Sequence, residues 1–311
     1  MADAALIFPG QGAQSVGMGK DLYAGFSQAK DVFDRANSVL KFDLTKLCFE
    51  GPQEILSTTQ NSQPAILTAS VAALRVFESS SYYGQVTSKF SLGLSLGEYT
   101  ALVACGSMSF EDALVLVRKR GELMEDASKK NPGKMACVIG MDLNLVEELC
   151  KGFGCEIANL NCPGQVVVSG KTSNIELFAS LAKEKGAKRV LMLDVSGPFH
   201  SSLMTHARDK LKDYIEKIQI LPPRIPFISN VDAKVQTDPA KIKENLIAQV
   251  NTRTLWEESV RSVVRTGVKL FLEIGPGQVL KGINKKIDSK LETKNIGTSQ
   301  DVQVLTAQPI S

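Results

Sequence analysis

One serine of this chain stands in a setting that could make it a nucleophile. Residues 93–97 read Gly-Leu-Ser-Leu-Gly, between a strand-like run at 90–92 and a helix-forming stretch at 98–104. A sharp turn from a strand into a helix would expose the serine hydroxyl, and the glycines would tolerate close approach of the backbone. The free N–H groups at the start of the helix would face a developing oxyanion. We therefore predict that Ser95 is a catalytic nucleophile; the alternative is an ordinary turn.

A nucleophilic serine needs a base, and the chain has only two histidines. His200 follows Gly-Pro-Phe at 197–199, where a predicted strand ends and a predicted helix begins. His206 lies within that helix, off the centre of its apolar stripe, and we expect it to be solvated or at the edge. We predict His200 as the base because it lies on a loop at a strand end. A helix-capping or structural histidine is the alternative.

Arg120 is the most informative charged residue. A capping box that begins at Ser109 predicts a helix over 109–128. Within this helix Arg120 falls on the apolar face, between Val117 and Met124. A buried guanidinium needs an anionic or strongly polar partner, because an unpaired buried charge is very costly. The partner is either an internal aspartate or glutamate, or a substrate carboxylate held by two hydrogen bonds.

A glycine-rich loop at 9–14, Pro-Gly-Gln-Gly-Ala-Gln, follows the first predicted strand at 4–8. It does not fit a dinucleotide-binding loop, because Ser15 stands where the third glycine would be. The spacing of a phosphate-binding P-loop fails as well. The loop would instead lie beside the Ser95 turn, where its backbone N–H groups could complete an oxyanion hole.

The composition is that of a water-soluble globular chain. It has 311 residues, of which 43% are hydrophobic and 22% charged, with a mean hydropathy of -0.01. No run reaches the ~18 apolar residues that a membrane span needs, so we expect no membrane association. A net charge of +3 without a clustered basic stripe argues against nucleic acid. The densest basic stretch, 281–290, is interpreted as a solvated helix face.

Six cysteines are scattered along the chain, and no pair has C-x-x-C spacing. They therefore predict no metal site and are typical of reduced core residues in an intracellular protein. The start of the chain lacks the basic and long apolar regions of a secretory signal. We expect a cytoplasmic protein, with the plastid stroma or the mitochondrial matrix as the alternative if a transit peptide was removed.

Strands that alternate with helices predict a parallel α/β sheet. Between 133 and 195 the order changes to strand, helix, strand, strand, helix, strand, the βαββαβ order of a ferredoxin-like unit. We predict a small domain at 131–198, inserted in a large domain that 1–130 and 199–311 form together. The seam between them would form a cleft. A long helix is expected to begin near Gln63, with Pro64 in its first turn.

Seven motifs together identify the chain as similar to a known family. Their order along the sequence resembles that of the malonyl-CoA:acyl carrier protein transacylases of type II fatty acid synthesis, over nearly the whole chain. The resemblance implies an α/β-hydrolase-like large domain with a parallel sheet and an inserted ferredoxin-like small domain. The motifs lie at 8–14, 93–99, 120–121, 159–170, 198–201, 229–231 and 273–277.

The resemblance also implies roles for single residues. Ser95 would carry the acyl group, and His200 would be its base. The backbone N–H groups of Gln11 and Leu96 would form the oxyanion hole. Gln249 matches the residue whose backbone carbonyl orients the histidine, so a Ser–His dyad needs no acidic third member.

Three further positions concern the acyl group. Arg120 would pair with the free carboxylate of the malonyl group. Phe199 before His200 resembles the pairing in malonyl-selective members, where an aromatic side chain would crowd a branched α-carbon. Leu94 departs from the family, because many members have histidine directly before the nucleophile.

By this resemblance the chain would be an acyltransferase that moves malonyl from malonyl-CoA to the phosphopantetheine thiol of an acyl carrier protein, through a malonyl-serine. It would need no cofactor and no metal, and we expect a monomer that binds malonyl-CoA and an acidic carrier protein. One alternative is an acyltransferase that serves a polyketide carrier. A serine carboxylesterase and a non-catalytic carrier-binding scaffold are the others.

Overall fold

The computed structural model describes residues 1–307, and their strands form two separate sheets. In chain order the strands are β1 (Ala2–Phe8), β2 (Val86–Gly93), β3 (Gly133–Ile139), β4 (Glu156–Cys162), β5 (Gln165–Lys171), β6 (Arg189–Met192), β7 (Phe227–Ile228), β8 (Val235–Gln236), β9 (Leu270–Ile274) and β10 (Glu292–Ile296). The helices before β3 are α1 (Lys20–Gly25), α2 (Ser27–Leu40), α3 (Leu44–Glu50), α4 (Gln53–Ser57), α5 (Thr59–Ser79), α6 (Gly97–Ala104) and α7 (Phe110–Lys130). Those after it are α8 (Leu143–Phe153), α9 (Thr172–Glu184), α10 (Thr205–Lys217), α11 (Pro239–Gln249), α12 (Trp256–Val264), α13 (Val279–Ile287) and α14 (Ser299–Ala307).

The larger sheet has six strands in the order β10-β9-β1-β2-β7-β8. All its neighbouring pairs are parallel except β7 and β8. Along β1 the side chains alternate between two cores: Leu6 and Phe8 face one, Ala5 and Ile7 the other. Helices α5 and α7 contribute to the first core, and α12 and α13 to the second. A strand covered on both faces is apolar throughout, and the predicted buried parallel strand at 4–8 is confirmed.

The smaller sheet has the order β4-β5-β3-β6 and is antiparallel throughout. Helices α8 and α9 pack on it around a third apolar core. The predicted succession of strand, helix, strand, strand, helix, strand is confirmed. The last strand, expected to reach Val195, ends at Met192. After one more backbone hydrogen bond, from Leu193 N–H to the Met135 carbonyl (2.9 Å), the chain leaves the sheet and lines a cavity.

Helix α5 begins earlier than its sequence predicts. It starts at Thr59, so Pro64 lies inside the helix and not in its first turn. Proline has no N–H group and leaves the carbonyl four residues before it without a helical partner. Here the carbonyl of Gln60 accepts a hydrogen bond from Arg118 Nη1 on α7, at 2.9 Å. A contact between helices therefore compensates for the missing backbone bond.

Candidate active site

The turn around Ser95 lies between β2 and α6, as predicted, and its backbone is tight. Ser95 has a φ of 51°, in the left-handed region that residues other than glycine rarely adopt. A Cβ on Gly93 would lie 2.1 Å from the Gly97 carbonyl, and one on Gly97 would lie 2.2 Å from the Phe8 carbonyl oxygen. Both positions therefore require glycine, and the turn packs directly on the end of β1.

Two buried amide side chains hold the backbone of Ser95. Asn230 Oδ1 accepts from the Ser95 N–H (2.7 Å), and Asn230 Nδ2 donates to the Gly93 carbonyl (2.7 Å). Gln249 Nε2 donates to the Ser95 carbonyl at 2.8 Å. Sequence reasoning missed the role of Asn230, although it lies in the Ser-Asn-Val motif at 229–231.

Ser95, His200 and Gln249 are brought together as the resemblance implies. Ser95 Oγ lies 2.8 Å from His200 Nε2, and His200 Nδ1 lies 2.9 Å from the backbone carbonyl of Gln249. A carbonyl can only accept, so Nδ1 carries the proton and Nε2 accepts from the serine hydroxyl. Burial and the charge of Arg120 lower the pKa of His200 to about 4. The imidazole is therefore neutral at pH 7 and able to take a proton. His206, by contrast, is 45% exposed, as expected.

Arg120 is buried on α7, and its guanidinium reaches the nucleophile. Nη2 donates to Ser95 Oγ (3.1 Å) and to Gln249 Oε1 (3.0 Å), and Nη1 donates to Gln63 Oε1 (2.8 Å). The guanidinium carbon lies 5.6 Å from the centre of the Tyr99 ring, within range of a cation–π contact. No carboxylate among residues 1–307 lies within 4.0 Å of it. The guanidinium is therefore bound by uncharged oxygen atoms. The aspartate or glutamate partner that the sequence analysis gave as one alternative does not contact it among these residues.

A buried carboxyl group lies beneath this site. Glu98 is fully buried, and it accepts from the Asn230 N–H (2.6 Å) and from Gln249 Nε2. Burial raises the pKa of Glu98 to about 8, although these hydrogen bonds and the charge of Arg120 act in the opposite direction. The carboxyl group therefore holds a proton more readily than an exposed glutamate does, and it lies beyond 4.0 Å from the Arg120 guanidinium. In the sequence Glu98 is one residue of a helix-forming stretch, and no neighbouring residue indicates that it is buried.

Ser95, His200 and Arg120 open into a cavity of about 320 Å³. Loops and helices beside the larger sheet form one side of the cavity, and strands of the smaller sheet form the other, as expected of the predicted cleft. Leu94 and Phe199 are in the wall as well. The smaller sheet and its connections supply Met135, Cys137, Asn159, Asn161, Gln165, Val167, Leu193 and Val195.

The glycine-rich loop runs against the serine turn. A Cβ on Gly10 would lie 2.5 Å from the Leu94 carbonyl oxygen, so only glycine fits there. The N–H groups of Gln11 and Leu96 donate to no acceptor within the described part of the chain. Two free donors beside a nucleophile can stabilise an oxyanion.

Neither a metal centre nor a membrane span is found in the described residues. Within 1–307 no three side chains of histidine, cysteine, aspartate or glutamate are grouped to hold a metal ion. Over the same range no helix is both long and apolar enough to cross a bilayer. All six cysteines are buried and unpaired, as expected. Three lysines of the basic stretch, at 281, 285 and 286, are exposed on α13, as expected of a solvated helix face, and Lys290 is exposed after the helix ends.

Comparison with known proteins places the chain in a protein family. The model of the family described as "Acyl transferase domain" matches residues 5–303. The malonyl CoA-acyl carrier protein transacylase of Bacillus subtilis (strain 168) is 45% identical over 309 residues, which cover 98% of this chain and 96% of that protein. The protein of the same name from Staphylococcus aureus (strain MRSA252) is 42% identical over 308 residues, 97% of this chain and 98% of its own.

Solved structures agree with the sequence matches. The malonyl CoA-acyl carrier protein transacylase of Coxiella burnetii has a TM-score of 0.95 at 36% identity and covers 100% of this chain and 98% of its own. A malonyl-transacylase in complex with its type II PKS acyl-carrier protein has a TM-score of 0.94 at 37% identity, with 99% of both chains covered. The chain therefore belongs to the acyl transferase family and, within it, to the malonyl-CoA:acyl carrier protein transacylases.

Proposed function

We propose that this protein transfers a malonyl group from malonyl-CoA to the phosphopantetheine thiol of an acyl carrier protein. The observation that carries the proposal is the buried guanidinium of Arg120, 3.1 Å from Ser95 Oγ and without a carboxylate partner in the described chain. A serine hydrolase has no need of a free positive charge beside its nucleophile. An acyl group with its own carboxylate would supply the missing anion.

In the first half-reaction His200 Nε2 takes the proton of the Ser95 hydroxyl as Oγ attacks the thioester carbon of malonyl-CoA. The N–H groups of Gln11 and Leu96 hold the oxyanion. The C–S bond then breaks, the imidazolium protonates the departing CoA sulfur, and malonyl-Ser95 remains. The Gln249 carbonyl keeps the ring oriented through both proton transfers, because it accepts from Nδ1 at 2.9 Å.

In the second half-reaction the carrier thiol gives its proton to His200, and its sulfur attacks malonyl-Ser95. The ester C–O bond breaks, Ser95 recovers the proton, and the malonyl thioester leaves on the carrier. No cofactor and no metal enters these steps. The solved complex of a similar malonyl-transacylase with its acyl-carrier protein supports a carrier protein as the acceptor.

Arg120 selects the acyl group by charge. A guanidinium that binds a carboxylate through two N–H groups distinguishes malonyl from uncharged acyl groups. This selectivity is far greater than an apolar pocket could obtain from a difference of one methylene. Phe199, which lines the same cavity, would crowd a branched α-carbon and favour malonyl over methylmalonyl.

The exposed lysines of α13 offer a docking face for an acidic carrier protein. Lys286 donates to Gln165 Oε1 at 2.9 Å, and Gln165 lines the cavity, so this lysine stands at its mouth. Opposite charges at such a mouth would raise the rate of association. A polyketide carrier is the second candidate acceptor, because the carrier in the solved complex is of the type II PKS class.

We also propose the finer architecture that the resemblance implies. A ferredoxin-like unit at 131–198 would be inserted in an α/β-hydrolase-like domain made of 1–130 and 199–311. The antiparallel sheet lies wholly within the proposed insertion, and the six-stranded sheet wholly outside it. We further propose a monomer in the cytoplasm. One chain supplies all the site residues, and six unpaired cysteines fit a reducing compartment.

The mass of the intact protein after brief mixing with malonyl-CoA or acetyl-CoA, without a carrier, tests the proposal. We expect a malonyl adduct on the wild type, none on Ser95→Ala, and much less on Arg120→Ala. An adduct that forms equally well from acetyl-CoA and survives Arg120→Ala would contradict the role of Arg120. If the wild type gives no adduct, a hydrolase or a non-catalytic scaffold is the better account.

A further inference from the structure

Helices α5 and α7 approach closely beside the active site. A Cβ on Gly121 would lie 2.6 Å from the Thr59 carbonyl oxygen, so α7 can come this near to the start of α5 only because it has glycine there. The approach brings Gln63, one turn further along α5, against the neighbour of Gly121, which is Arg120.

Gln63 is fully buried, and its two hydrogen-bond partners fix which way its side-chain amide faces. Oε1 accepts from Arg120 Nη1 at 2.8 Å, and Nε2 lies 3.6 Å from the sulfur of Met124. A guanidinium only donates, so the oxygen must face Arg120. None of the transfer steps proposed above uses Gln63.

An amide at this position is not the strongest partner that a guanidinium could have. Glutamate differs from Gln63 by one atom, and its carboxylate would bind Arg120 more tightly. Its direct contact with the guanidinium would favour the ionised form, and in a buried site an internal ion pair competes strongly with a charged ligand. The other acceptors of Arg120, Gln249 Oε1 and Ser95 Oγ, are neutral as well.

We propose that Gln63 is a positioning residue that sets the acyl-group preference. Its neutral oxygen holds Arg120 in place without neutralising it, and leaves the positive charge for the carboxylate of a diacid thioester. This inference rests on the proposed function, since it takes malonyl as the acyl group.

The test compares Gln63→Glu with Gln63→Met, in the full chain, by rapid-quench measurement of Ser95 acylation from malonyl-CoA and from acetyl-CoA. Gln63→Glu keeps the acceptor and adds a charge, and we expect acylation by malonyl-CoA to fall about 10- to 100-fold while acylation by acetyl-CoA changes little. Gln63→Met removes the acceptor without adding a charge. Arg120 then loses one tether but stays cationic, so malonyl acylation falls less and malonyl remains preferred.

A purely structural role for Gln63 would lower the two acylation rates in parallel in both variants, and that result overturns the inference. An unchanged malonyl-to-acetyl ratio in Gln63→Glu overturns it too. Urea unfolding shows whether each variant is folded. If Gln63→Glu is not, Gln63→Met decides, because equal losses with the two thioesters would again contradict a role through Arg120.

Wild type and Arg120→Ala, measured in the same assay, separate this inference from the proposed function. If the wild type takes no malonyl group, the proposed function fails and the inference falls with it. If Arg120→Ala keeps the full malonyl preference, the role of Arg120 fails, and the inference fails with that role while the transfer of malonyl stands. If both behave as expected and Gln63→Glu keeps its preference, only the inference fails.

Discussion

At the scale of single residues, both members of the Ser–His pair have unusual backbones. Ser95 and His200 have φ angles of 51° and 57°, where a side chain other than glycine is strained. Such strain persists only where surrounding contacts hold it. Asn230 and Gln249 supply those contacts at Ser95, on its N–H and its carbonyl. The geometry of the nucleophile is therefore set by residues far along the chain.

The protonation of His200 makes a prediction about pH. Because burial and the charge of Arg120 lower its pKa to about 4, the imidazole stays a competent base well below its ordinary range. We expect the rate of Ser95 acylation to hold steady from pH 7 to about pH 5 and to fall only near pH 4. Rapid-quench acylation with acetyl-CoA across this range measures it, with circular dichroism to show that the fold persists.

Arg120→Met is the matched control, since it removes the positive charge, which is one of the two causes of the lowered pKa of His200. Its acid limb should lie at higher pH than that of the wild type. Acylation by the wild type that declines near pH 6.5, the ordinary value for histidine, would contradict the assignment.

Glu98 makes a prediction about stability. Its pKa is about 8 in the folded chain and 4.5 ordinarily, so between these values the folded state holds a proton that the unfolded state releases. The free energy of unfolding therefore falls as pH rises through this window, by up to about 1.4 kcal/mol per pH unit from this group. Urea unfolding at pH 5, 6, 7 and 8 measures the trend.

Glu98→Gln isolates that contribution, because the amide does not titrate. The difference in unfolding free energy, wild type minus variant, should fall as pH rises from 5 to 8. A difference that is independent of pH would show that Glu98 is ionised throughout this range.

At the scale of elements, α5 shows how a helix can include a proline. We expect Arg118→Met to leave the Gln60 carbonyl without a partner and to destabilise the fold. In a Pro64→Ala background the new N–H of residue 64 can bond to Gln60, so the same change should cost about 1 kcal/mol less. Urea unfolding of the four proteins gives this coupling. Equal costs in the two backgrounds would show that the Arg118–Gln60 bond does not compensate for Pro64.

Capping residues and local patterns of apolar residues predict many of the helices and strands. The predicted helix start at Ser109 is confirmed, since Ser109 Oγ accepts from the Asp112 N–H at 3.0 Å. The reciprocal bond of a capping box is replaced by one from the Ser109 hydroxyl to Asp112 Oδ2 at 2.7 Å. The early start of α5 was not predictable, because the compensating bond from Arg118 joins residues 58 positions apart. Gln63 and Asn230 were missed for the same reason: their partners lie 57 and 135 positions away.

At the scale of the whole molecule, the two sheets have different tasks. Ser95, His200 and Arg120 lie on segments outside the smaller sheet, which supplies only cavity wall. The alternation of strands and helices predicts both sheets, since each pattern is local. The set of side chains that faces the cavity depends on how the sheets pack together, and periodicity along one element carries no information about that.

The buried cysteines have a practical consequence for measuring this reaction. Acylation of Ser95 without a carrier releases the CoA thiol and consumes none, so a chromogenic disulfide reagent can follow this half-reaction. The protein's own thiols outside the cavity should not react with this reagent, because all six are buried and burial raises the pKa of Cys48, Cys105 and Cys150 to about 12. Cys137 differs in one respect, since it also lines the cavity. A small alkylating reagent that reaches it would compete with bound substrate, so its labelling rate would report how often the cavity is empty.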